Sequence, residues 1–140
     1  MGGDYYDVLP LGPSRMGVLV ADVSGKGTSA ALYMAELKGL VLSLSRIHES
    51  PARLLSEANR ILAENMDSRS FVTMTYAVVD TATRRMRFAR AGHNPVIHLE
   101  ARTRPFRLEE DHVLRPEEVR HERGLALLRA GLGEARLDLD

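Results

Sequence analysis

The stretch from Phe71 to Asp80 constrains the chain more than any other. Val72, Met74, Tyr76 and Val78 fall on one side of an extended chain, and Thr73, Thr75, Ala77 and Val79 on the other. Neither side carries a charge, so the segment reads as the central strand of a sheet covered on both faces. Any fold for this chain must supply that strand with neighbours. Thr81 to Arg84 reads as a turn and Arg85 to Ala91 as a second strand, which makes a hairpin. Upstream, Tyr5 to Leu9 and Met16 to Asp22 read as two more strands joined by the turn Leu11-Gly12-Pro13-Ser14.

Two helices lie between the hairpins. The first runs from about Ser29 to Arg46, with Thr28 and Ser29 offering N-caps. It is apolar on almost every side, which predicts burial all round. The second opens at Ser50-Pro51, a cap followed by proline at the first helical position. Its Leu54, Leu55, Ala58, Ile61 and Leu62 make one apolar stripe. After the loop Gly92-His93-Asn94-Pro95, Val96 to Glu100 reads as a further strand. The order β-β-α-α-β-β-β, with its hairpins and adjacent helices, predicts an α+β fold on antiparallel sheet rather than a doubly wound one.

Composition narrows the function. A chain of 140 residues that is 44% hydrophobic reads as a single domain, 1–140. Its 19 basic and 19 acidic residues give a formal net charge of zero, which argues against a general nucleic-acid binder. The absence of Cys excludes disulfide scaffolds, thiolate metal sites and cysteine nucleophiles. No apolar run reaches the roughly 18 residues of a membrane span, and Met1-Gly2-Gly3-Asp4 lacks a signal-peptide pattern. The expected location is cytoplasmic. Residues 101–140 hold 17 charged residues in 40 against 21 in the first 100, so they form a divergent, charge-rich end.

Three clusters carry chemistry: Gly2-Gly3-Asp4-Tyr5-Tyr6-Asp7, Asp22-Val23-Ser24-Gly25-Lys26-Gly27, and Ala91-Gly92-His93-Asn94-Pro95. Asp22 ends an apolar strand and shares parity with Met16, Val18 and Val20, which points it to the core-facing side. A carboxylate there needs a partner or a metal. The alternative is that it caps the next helix or bonds local backbone. If the first hairpin closes, Asp4 and Asp22 meet at one edge, and oxygen ligands without His or Cys select Mg²⁺ or Mn²⁺ over zinc. The histidines at 48, 93, 98, 112 and 121 have no zinc spacing. Gly25-Lys26-Gly27 lacks the frame of a P-loop. Tyr5-Tyr6 replaces the Glu-Phe of a diguanylate-cyclase turn after Gly2-Gly3-Asp4. His93 reads either as a general acid/base or as a brace that bonds backbone before Pro95.

In this order, with Phe71-Val72-Thr73 between the last two clusters, the motifs resemble a bacterial PPM-type (type 2C-like) protein phosphatase. The branch is that of stage II sporulation protein E and the stress-response sigma-factor regulators, and the likeness runs from Gly2 to about Leu99. Met34 in the long helix fits it as well. The resemblance implies an α-β-β-α sandwich of two antiparallel sheets flanked by helices. It implies hydrolysis of phosphoserine or phosphothreonine on a regulatory protein such as an anti-sigma-factor antagonist, with a pair of Mn²⁺ or Mg²⁺ ions and a fused or separate sensor domain. Asp4 then matches a ligand of one metal, Asp22 the carboxylate bridging both, and the Val23 carbonyl a backbone ligand. Gly3, Ser24, Gly25, Gly27, Gly92 and His93 match the supporting loops. No nucleophile beyond an activated water is implied.

The sequence also departs from that pattern. The family's Tyr-Thr-Asp-Gly strand and a later Asp complete the second metal site, and no Asp-Gly occurs in this chain. Gly124-Leu125-Ala126-Leu127 resembles the segment before that strand, while Asp138 and Asp140 lack the motif. The expectation is a partial domain that holds one ion and turns over slowly by itself. Two other readings stay open: a non-catalytic, phosphatase-like regulatory or interaction module, and a plain α+β binding domain without metal.

Overall fold

The structure, a computed structural model, describes residues 4–25, 27–67, 69–94, 96 and 107–111. Its elements are β1 (Asp4–Pro10), β2 (Arg15–Val23), α1 (Thr28–Leu44), α2 (Pro51–Asn65), β3 (Val72–Asp80), β4 (Arg85–Ala91) and β5 (Arg107–Glu110). The strands form one sheet in the order β1-β2-β3-β4-β5, with β3 in the middle as its uncharged faces require. The first three pairings are antiparallel and β4–β5 is parallel. The fold is α+β. No helix among the described residues is long and apolar enough to cross a membrane.

Both helices lie on one face of the sheet. Leu9, Leu19, Ala21, Val23, Val72, Met74, Tyr76, Val78, Ala89 and Ala91 turn inward and are buried with Leu37, Val41, Leu54, Leu55 and Leu62 of the helices. Full burial of each large aliphatic side chain contributes about 1.5–3 kcal/mol. The opposite face leaves Tyr6, Val8, Met16 and Val20 exposed. Gly17 is a packing requirement: a Cβ there would sit 2.7 Å from the Tyr76 hydroxyl, whose ring fills the space above β2.

The turns are tied to one another. Leu11 N donates to the Arg15 carbonyl across the first hairpin, and Thr81 N and Oγ1 both donate to the Ser14 carbonyl. The second turn ends at Arg84 with a positive φ of 54°, while the Asp80 carboxylate accepts from Thr83 N.

Four expectations change. First, α1 is capped by Gly27 at φ 85°, with no side-chain cap, rather than by Thr28 or Ser29. A left-handed residue is needed to swing the chain off β2, and glycine supplies it at least cost. Second, α1 is not buried all round: Leu32 is 66% exposed and Leu42 38%, because only one side meets α2 and the sheet. Third, Val96 is in no strand and 97–100 lie outside the described residues. The fifth strand is Arg107–Glu110 and runs parallel to β4. Fourth, Asp22 lies on the face away from the helices, since the inward set on β2 is Gly17, Leu19, Ala21 and Val23. The expected second sheet, like most of 101–140, falls outside the described residues.

Charge fixes β5. Glu109, Glu110 and Asp111 pair with Arg85, Arg90 and Arg87 at 3.9, 3.0 and 3.5 Å. Asp111 also caps α2, accepting from Ser50 Oγ at 2.6 Å and Ala52 N at 3.2 Å, while Ser50 Oγ accepts from Arg53 N. Burial pushes the Asp111 carboxyl up, but the bonds from Ser50 and Ala52 and the nearby Arg87 outweigh it and hold it below its ordinary value. A depressed carboxyl stabilises the fold above the unfolded pKa, and that stability fades as pH falls through the folded value. We expect Asp111→Ala to cost about 1–2 kcal/mol in urea unfolding at pH 7. The gap to wild type should narrow below about pH 4; a gap that stays constant down to pH 2 contradicts the capping role.

Candidate functional site

The register of the sheet assembles the site. β1 and β2 place Asp4 opposite Asp22, and β2 and β3 place Asp22 opposite Thr73. Opposed residues point to the same face with Cβ atoms about 4.5–5.5 Å apart. Asp4, Asp22 and Thr73 therefore form a row across three strands, on the face away from the helices, at the end where β2 leaves for α1. Both carboxylates are exposed, and neither has a hydrogen bond or ion pair among the described residues. Asp22 does not cap α1, whose first turn has no side-chain acceptor. Two like charges directly opposed are unfavourable. A hard divalent cation between them removes the repulsion and accepts an all-oxygen donor set, so this pair fits Mg²⁺ or Mn²⁺. Among the described residues no group of three or more acidic or histidine side chains converges on one point.

The loops around the row are held in place. The Val23 side chain is buried toward the helices, so only its backbone faces the site end. Ser24 N donates to the Phe71 carbonyl at 2.8 Å, and Phe71 N donates to Ser24 Oγ at 2.7 Å. These bonds lock the exit of β2 to the entry of β3. Gly25 and Gly27 follow with φ of 94° and 85°. On the far side Gly92, at φ 64°, bridges to Met74 and turns the chain so that His93 Nδ1 lies 2.9 Å from Thr73 Oγ1. His93 thus bonds a side chain of the carboxylate row rather than the backbone expected for a brace. Gly3 lies outside the described residues.

Thr73 is the site residue that sequence reasoning missed. Its signal was present: Phe71-Val72-Thr73 was noted as a motif, and Thr73 has the outward parity of β3. Asp7 separates from Asp4 in the opposite sense. It faces the helices, accepts from Tyr5 Oη at 2.6 Å and lies 3.8 Å from Lys38 Nζ on α1. The bond from Tyr5 holds the Asp7 carboxyl below its ordinary value, and burial together with that same carboxylate pushes the Tyr5 phenol up. Asp7 braces β1 to α1 and takes no part in the row.

Residues 12–118 match the stage II sporulation protein E (SpoIIE) family. The phosphoserine phosphatase RsbU of Bacillus subtilis is 33% identical over 106 residues, covering 76% of this chain and 31% of RsbU. The phosphoserine phosphatase RsbP of the same organism is 28% identical over 101 residues, covering 69% of this chain and 25% of RsbP. The crystal structure of the RsbU and RsbW domains of Rv1364c from Mycobacterium tuberculosis superposes with a TM-score of 0.61 at 28% identity, over 68% of this chain and 27% of that one. The fold is that of a PPM-type, type 2C-like phosphatase domain. The chain belongs to the stage II sporulation protein E family. It spans about a third or less of the length of these curated relatives.

The facing carboxylates give a prediction independent of catalysis. Without metal, Asp22→Asn should be more stable than wild type by about 0.2–1 kcal/mol, because a like-charge pair is removed. Mn²⁺ at a hundredfold its Kd should stabilise wild type by about 2.7 kcal/mol and leave Asp22→Asn nearly unmoved. Calorimetry with and without Mn²⁺ checks both, and an equal Mn²⁺ response in the two proteins contradicts the assignment.

Proposed function

We propose that this chain is part of a metal-dependent protein phosphatase that removes phosphate from phosphoserine or phosphothreonine on a regulatory protein, such as an anti-sigma-factor antagonist. The observation that carries the reading is the exposed Asp4–Asp22 couple, without a partner among the described residues, facing across one sheet end. The names of the relatives RsbU and RsbP supply the phosphoserine chemistry. A sensor domain elsewhere in the protein, fused or separate, belongs to the same reading.

In this proposal Asp4 and Asp22 hold Mg²⁺ or Mn²⁺ with help from the Val23 carbonyl. Such a cation supplies Lewis acidity toward water and toward the phosphoryl oxygens. The chain's own residues do the positioning. The paired bonds between Ser24 and Phe71 keep the turn after Val23 from drifting. Gly25 and Gly27 supply the positive φ angles that carry the chain from β2 round to α1. Thr73 fixes the His93 ring through Nδ1 and leaves Nε2 without a partner among the described residues, where it orients polar groups arriving at the carboxylate row.

The test is turnover of p-nitrophenyl phosphate and of a phosphoserine protein by the full-length protein across a Mn²⁺ titration. Wild type should depend on the metal, and Asp22→Ala should lose at least about 10²–10³ in rate, the scale of losing one electrostatic stabiliser. Equal turnover by Asp22→Ala with Mn²⁺ present refutes the role. Metal binding without turnover by wild type favours the second reading, a phosphatase-like regulatory module. The two-carboxylate cluster among the described residues is the observation that keeps that reading in view.

A further inference from the structure

Where β2 exits and β3 begins, the surface opens into a groove of about 840 Å³ lined by Ser24, Gly25, Asp67, Arg69, Ser70 and Phe71. Its volume is in the range of sites that hold a ligand or a short peptide segment. The groove lies at the same end of the sheet as the candidate centre. Ser24 follows Asp22 by two residues, and Phe71 precedes Val72, the cross-strand partner of Val23.

The chemistry of the lining is selective. The Asp67 carboxylate is engaged by its own loop and by α1. Its Oδ1 accepts from Arg69 N and Ser70 N at 2.9 Å, and its Oδ2 accepts from Ser70 Oγ at 2.9 Å and Tyr33 Oη at 3.3 Å. Those bonds, led by the one from Arg69 N, hold its carboxyl below the ordinary value. The backbone N–H groups of Ser24, Arg69, Ser70 and Phe71 are all used as donors inside the protein. Among the described residues the lining therefore offers no nest of free amides of the kind that cradles a polyphosphate. It does offer one guanidinium, that of Arg69, which forms no ion pair among the described residues, and one aromatic ring, that of Phe71, 42% exposed. A single fork-shaped cation beside an exposed ring fits one carboxylate on an extended peptide.

We propose that this groove seats the stretch of substrate polypeptide flanking the phosphorylated residue, with Arg69 pairing an acidic side chain of that stretch and Phe71 packing on its backbone. The inference rests on the phosphatase reading and adds the sequence preference of the substrate. The groove opens two residues along from Asp22, and an extended chain advances about 3.3–3.6 Å per residue. The preferred acid then lies roughly two to four residues from the phosphoserine.

The experiment uses the full-length protein with Mn²⁺ and three phosphoserine peptides, identical except for Glu, Gln or Lys at those flanking positions. p-Nitrophenyl phosphate serves as a substrate with no flanking chain. For wild type the KM of the Glu peptide should be about threefold to tenfold below that of the Gln peptide, the scale of one exposed to half-buried charge pair. Arg69→Ala should erase that ratio with kcat for the Gln peptide little changed. Arg69→Glu should shift the preference to the Lys peptide, a reversal that a merely structural role of Arg69 does not produce. An Arg69→Ala protein that keeps the full Glu-to-Gln ratio overturns the groove assignment and leaves the phosphatase reading standing. No metal-dependent turnover of any peptide or of p-nitrophenyl phosphate by wild type overturns both.

Discussion

A slip of one residue between β1 and β2 would carry Asp4 to the helix side and leave Asp22 alone on the open face. Strand side chains alternate with a period of two, so such a slip inverts every residue at once. The register that pairs Asp4 with Asp22 and Asp22 with Thr73 is therefore the condition on which the site depends. Packing holds it. Leu19 lies opposite Tyr76, Ala21 opposite Met74 and Val23 opposite Val72, all buried under the helices. Gly17 leaves room for the Tyr76 ring, and a side chain there would collide with it. The core on one face thus fixes the position of charges on the other.

The helices reach the site through polar contacts rather than through the core alone. α1 contributes Lys38, which lies beside Asp7, and Tyr33, whose hydroxyl donates to the Asp67 carboxylate and accepts from Asp67 N. α2 is pinned at its start by Ser50 and Asp111, the latter at the end of β5. The loop that leaves α2 carries the Arg69–Phe71 wall and is bonded to Ser24. The groove wall is joined to α1 by the bonds from Ser70 and Tyr33 to Asp67, so displacement of α1 has a direct path to the groove through Tyr33.

Much of this was legible in the sequence, and each gap has a physical cause. β3 and β4 were readable because alternation and turn residues agree there, and the Ser50-Pro51 start of α2 because cap and proline chemistry coincide. Asp22 stood out as a carboxylate ending an apolar run. The core-facing side expected for it is not the one the helices cover, since both sides of β2 are apolar and parity alone does not distinguish them. The Gly27 cap was hidden because Thr28 and Ser29 are better caps by side chain, whereas the chain reversal demands a positive φ. β5 escaped because Arg107-Leu108-Glu109-Glu110 has little strand propensity. It is held by charge, and the clue was the complementarity of its acids to Arg85, Arg87 and Arg90. The bond between Thr73 and His93 joins residues 20 apart and follows from register, which no local pattern reveals.

The central claim is that the facing carboxylates of Asp4 and Asp22 are a binding site for one hard divalent cation, and paramagnetic broadening by Mn²⁺ tests it most directly. In an amide NMR spectrum of the isotope-labelled protein, substoichiometric Mn²⁺ should first erase Asp4, Tyr5, Asp22, Val23 and Thr73. The turn at Thr81 to Arg84, at the opposite end of the sheet, should remain sharp. The same titration of Asp22→Asn should leave all of them sharp at equal Mn²⁺. Broadening centred on Glu57 and Glu64 of α2, or an unchanged pattern in Asp22→Asn, would contradict the account.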